Sequence, residues 1–153
     1  MIPLVLALHT MAAVVWVGGL FFALVAFRPA LGSLPVEHRL TMLRATLGRF
    51  FRWVWAAIAT LLLSGYGVVL FGYEGFAAVG LHIQIMQVTG LVMIGLFVLA
   101  WTGPWHEFCH AMDHHDTRTA EHQLARLRLL MQANLPLGLF TSAIGATGGF
   151  WTY

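Results

Sequence analysis

Lysine is absent from the 153-residue sequence, cysteine occurs once, and charged residues make up only 9% of the chain. A single cysteine, Cys109, excludes a disulfide scaffold. Eight arginines and six acidic residues cannot cover the outside of a water-soluble domain of this length, so a soluble globule is excluded as well. Disorder is excluded by the opposite property. With 59% hydrophobic residues and a mean hydropathy of +0.81, the chain cannot stay solvated along its length. What remains is a chain whose outside faces lipid, and its function is to be sought in the polar groups inside its apolar stretches.

A run of about 20 mostly apolar residues crosses a hydrocarbon core about 30 Å thick. Four stretches qualify, at about residues 2–27, 53–73, 76–101 and 129–151. The expected fold is all-α: a single domain over residues 1–153, built as an integral membrane four-helix transmembrane bundle. No basic segment precedes the first apolar run, and that run is too long for a cleaved signal, so it is read as a permanent span. Small surfaces at Gly18-Gly19, Gly65, Gly90 and Gly145 suit close helix packing in lipid.

Arginine placement orients the bundle. Arg28, Arg39, Arg44, Arg49 and Arg52 fall between the first two spans, and Arg118, Arg126 and Arg128 between the last two. Basic residues in short loops stay on the cytoplasmic side, so both termini are expected outside, in a bacterial inner membrane. The net charge of +2 is thereby a topology signal, and no nucleic-acid partner is implied. The arginine-rich loops read as short amphipathic cytoplasmic helices. Leu40, Leu43, Leu47, Phe50 and Phe51 recur at helical spacing after Pro35, which predicts a segment lying in the interface before it turns into span two. Gly103-Pro104 predicts a break after span three, and Asp116 or Thr117 a cap for the next helix.

Two histidines lie inside spans. His9 is about a third of the way into span one, and His82 is near the start of span three. Odd-numbered spans run in the same direction, so both imidazoles fall in the outer leaflet at similar depth. An ionisable group there marks an ion path, a relay or a cofactor. Facing imidazoles suit axial ligation of haem b, and Trp16, Phe21, Phe22, Trp55, Tyr66 and Phe71 are available to wall a macrocycle. This predicts a bis-histidine haem protein moving electrons to a redox partner or a quinone, or acting as a haem-dependent oxidoreductase. Against it, the outer side has no arginine or lysine for the propionates. The alternative is copper: Met86 follows His82 by four residues and shares its helical face, and thioether with imidazole suits Cu(I). Asn134 and Pro136 in span four read as an interhelical hydrogen bond and a tolerated bend.

The run Leu8-His9-Thr10-Met11-Ala12-Ala13-Val14-Val15-Trp16-Val17-Gly18-Gly19-Leu20-Phe21-Phe22, then Arg28-Pro29, then Arg49-Phe50-Phe51-Arg52 and Leu63-Ser64-Gly65, resembles the CopD-type (copper resistance D) membrane domain. More distantly it is similar to the HemJ-type protoporphyrinogen oxidases, where a first-span histidine and a histidine opening the third span recur. The resemblance covers nearly the whole chain and implies a four-helix fold with copper, or haem b, at His9 and His82. Where HemJ-type enzymes carry lysine two residues after the third-span histidine, this chain has His82-Ile83-Gln84.

A second cluster lies on the arginine side. His106-Glu107-Phe108-Cys109-His110 fits H-E-x-x-H, in which two histidines one turn apart bind zinc and the glutamate activates water. His114, Asp113 or His122 are the available third ligands for such a zinc site. A protease would also need a substrate cleft, and a small bundle with short loops has little room for one. A solvated helix whose histidines titrate near neutral pH is the competing reading.

Overall fold

The computed structural model describes residues 2–72 and 80–151, with the side chains of 71 and 72 left aside. The Glu74-Gly75 connection, Tyr73 and Tyr153 therefore lie outside the described residues. Four helices are each long and apolar enough to cross a membrane: α1 (Ile2–Ser33), α2 (Val36–Gly72), α3 (Leu81–Asp113) and α4 (Thr117–Phe150). Among the described residues there is no strand. α1 packs chiefly on α2 and α3 on α4, and the two pairs meet mainly where α1 touches α4.

The helices are longer than the expected spans, and for residues 36–52 this corrects the picture of a separate interfacial helix. α2 runs unbroken for 37 residues, about 56 Å at 1.5 Å per residue, well beyond a hydrocarbon core of about 30 Å. Pro35 sits just before its first residue and no proline follows within it, so nothing forces a turn near Trp53. The predicted amphipathic face exists, but helices cover it rather than lipid headgroups. Leu40, Leu43, Leu47 and Phe51 of α2 are buried against a core that includes Phe108 and Ala111 of α3 and Ala120, Leu124 and Leu127 of α4. Phe108, Ala120 and Leu127 have no exposure at all. The opposite half of the bundle shows large apolar side chains outward, such as Leu63 at 78% and Leu4 at 67% exposure. This is how a bundle looks when its outside is lipid, where burying an apolar side chain against protein gains little.

At Gly103-Pro104 the expected interruption takes the form of a change of helix type, with the short helix His106–Asp113 following it. Residues Trp101–Trp105 form a π-helical turn, and the wider turn absorbs the proline's missing N–H while the helix continues to Asp113. α3 ends in a Schellman motif: Asp116 N–H donates to the Ala111 carbonyl at 2.9 Å, and His115 N–H to that of Met112 at 3.3 Å. His115 takes the left-handed position, φ 55°, where glycine is usual. Asp116 then caps α4 as expected, its carboxylate accepting from the Thr119 N–H at 3.0 Å. Two ion pairs tie the arginine-bearing ends together, Arg39 to Glu121 at 2.6 Å and Arg44 to Asp113 at 2.8 Å.

Candidate metal centre

His9 faces α2. Its Nδ1 lies 2.8 Å from the Ser64 hydroxyl, and the ring rests beside Gly65. The Ser64 hydroxyl donates its proton to the Thr60 carbonyl at 2.5 Å. It is therefore left to accept from the imidazole, which fixes the proton on Nδ1 and leaves the Nε2 lone pair available. That is the tautomer a metal ligand needs. Ser64 went unrecognised in the sequence reading, because a serine in an apolar run more often bonds back to its own helix; here it does that and holds His9 as well.

His82 faces α4. Its ring packs so closely on Gly148 that a side chain at that position would overlap it, and it meets Trp151 edge to face at 6.3 Å between centroids. Met86 follows one turn later against Gly145. Further along the same seam the Thr141 hydroxyl donates to that of Thr89 at 2.7 Å, and Met93 packs over Gly138. Asn134 donates from Nδ2 to the Met93 carbonyl at 3.2 Å, the interhelical bond expected of it. The α3 side of the seam thus presents one imidazole and two thioethers at helical spacing, each seated on a glycine of α4.

His82 and Met86 share this seam, whereas His9 has its partners on α2. The partners described for the two imidazoles lie on different helices, because the bundle packs α1 chiefly on α2 and α3 on α4. Of the aromatic residues proposed as a wall, the Phe71 side chain lies outside what is described. Trp16 is buried edge-on against Phe97, Phe21 and Phe22 are exposed, and Tyr66 accepts from Gln87 at 3.2 Å.

The H-E-x-x-H segment is helical, with His106 and His110 both exposed. His106 Nδ1 donates to the Trp101 carbonyl at 2.7 Å, and His114 Nδ1 to that of His110 at 2.9 Å, with the two rings stacked 4.2 Å apart. Asp113 is taken by Arg44. Among the described residues no group of three or more His, Cys, Asp or Glu side chains is arranged to hold one metal ion.

Residues 44–147, about two thirds of the chain, match the family model of copper resistance protein D. This chain belongs to that family. No curated protein and no solved structure matches it. The matched region contains His82, Met86, Met93 and Ser64, while His9 lies ahead of it. Membership of the copper resistance D family, together with four apolar helices, makes the chain an integral membrane protein whose environment is a lipid bilayer.

Proposed function

We propose that this chain binds Cu(I) at the arginine-free end of its bundle and hands it on as cargo, with His82 and Met86 forming the first site. The supporting observation is their pairing: one imidazole and one thioether a helical turn apart, in one seam, inside the segment that matches the copper resistance family. Both are soft or borderline donors that favour Cu(I) over hard cations. His9, with Nδ1 held by Ser64 and Nε2 open, is a further imidazole ligand at the same end of the bundle. Met93, two turns below Met86, offers the next thioether along the seam. With the arginine-bearing ends in the cytoplasm of a bacterial inner membrane and the termini outside, copper enters this site from the outer side.

The test is a competition titration of detergent-purified protein with a Cu(I) chelator. His82→Ala and Met86→Leu each lower affinity by about tenfold or more, as expected for loss of one of few ligands, and Met86→Leu preserves the packing volume. Wild-type affinity in the double variant would overturn the proposal. A visible spectrum of the same sample tests the other reading, haem b, and is expected to show no Soret band. A Soret band lost in both His9→Ala and His82→Ala would replace copper by haem.

A further inference from the structure

The arginine-bearing end holds a second site of a different kind. Where α1, α2 and α4 meet, a cavity of about 370 Å³ is lined by Arg28 from α1, Arg39 from α2, and Arg128 and Glu121 from α4. That volume falls within the range of about 300–1,000 Å³ typical of small-ligand sites. Glu121 is already committed to Arg39 at 2.6 Å. Among the described residues neither Arg28 nor Arg128 has an ion-pair partner, so the recess holds three guanidinium groups against the single carboxylate of Glu121. Arg28 is only partly exposed. Like charges converging on a concave, partly desolvated site attract an anion, and guanidinium forks match the geometry of phosphate oxygens. Leu24, Leu43 and Leu124 form an apolar wall beside them. A lone inorganic anion has no use for that wall, whereas a phosphate ester with a glycerol and acyl portion does.

We infer that this recess binds the phosphate group of an anionic phospholipid, with Arg28 and Arg128 as the phosphate ligands and the leucines against its apolar part. The position agrees, because Arg28 ends the apolar run of α1, the level at which lipid phosphates lie. A lipid seated here touches three of the four helices and joins the α1–α2 pair to α4. The inference stands independently of the copper site at the other end.

Purified protein in a zwitterionic detergent tests it, titrated with short-chain phosphatidylglycerol, short-chain phosphatidylcholine and inorganic phosphate while the thermal unfolding midpoint is followed. Phosphatidylglycerol is expected to raise the midpoint and phosphatidylcholine to leave it nearly unchanged. Inorganic phosphate reproducing the whole effect would keep the site but make free phosphate its ligand. Arg28→Gln and Arg128→Gln each weaken the apparent affinity by roughly tenfold or more. The pair Arg49→Gln and Arg52→Gln, which removes the same net charge from exposed positions away from the recess, leaves it unchanged. Glu121→Gln removes the one carboxylate and tightens binding. An equal response to both lipids, or wild-type affinity in the combined Arg28→Gln and Arg128→Gln variant, would overturn the inference.

Discussion

Replacing Ser64 by alanine removes one hydroxyl between α1 and α2 and leaves every proposed metal ligand in place. In the wild type that hydroxyl accepts from His9 Nδ1 at 2.8 Å while donating to the Thr60 carbonyl, so a single atom sets both tautomer and ring orientation. A neutral hydrogen bond of this kind contributes about 1 kcal/mol to stability, and the small void left by the hydroxyl adds little. Metal binding is expected to suffer more than folding. Loss of an outer partner of a ligating histidine costs about 10- to 100-fold in affinity, or about 1.4 to 2.7 kcal/mol. The assay is Cu(I) competition alongside thermal unfolding, on wild type, Ser64→Ala, Ser64→Thr and His9→Ala. Ser64→Thr retains a hydroxyl and is expected to recover much of the affinity. If His9→Ala weakens copper binding while Ser64→Ala does not, the serine does not orient the ring. If neither variant matters, His9 is no ligand at all.

Three further outcomes follow from particular contacts. Gly148→Ala pushes a methyl group into the His82 ring; it is expected to cost about 1–3 kcal/mol of stability as overpacking and to weaken Cu(I) binding, read by the same titration. His115→Gly relieves the left-handed backbone at the end of α3 and is expected to stabilise the protein by about 1 kcal/mol, seen as a raised unfolding midpoint. Hydrogen bonding from Thr119, side chain first and backbone N–H second, holds the Asp116 carboxyl below its usual range. Its folded pKa is thus lower than its unfolded one, so the cap's contribution is complete above the unfolded value and is lost as pH falls through the folded value. Asp116→Asn, which keeps an accepting oxygen, is expected to remove that acid-side loss from the stability profile.

Much of the architecture was legible along the chain because lipid imposes a length and a polarity on every span. The four helices, the Asp116 cap and the gathering of arginines at one end all follow from local composition. Helix ends were less legible. The leucine face of residues 40–51 reads the same whether headgroups or other helices cover it, and only the presence of Phe108, Ala120 and Leu127 opposite decides that α2 runs straight on. Likewise the break read at Gly103-Pro104 takes the form of a π-helical turn.

The candidate site divides in the same way. Sequence alone singled out His9, His82 and Met86 as candidate ligands in apolar runs, since an imidazole inside a span is conspicuous whatever surrounds it. It also placed His82 and Met86 on one face, because four residues make about one helical turn. Which helix each of them meets was decided only by tertiary packing. Span depth says nothing of rotation about the helix axis or of which spans are neighbours. The Ser64 hydroxyl holds His9 on α2, while Gly148 lets the His82 ring approach α4 closely.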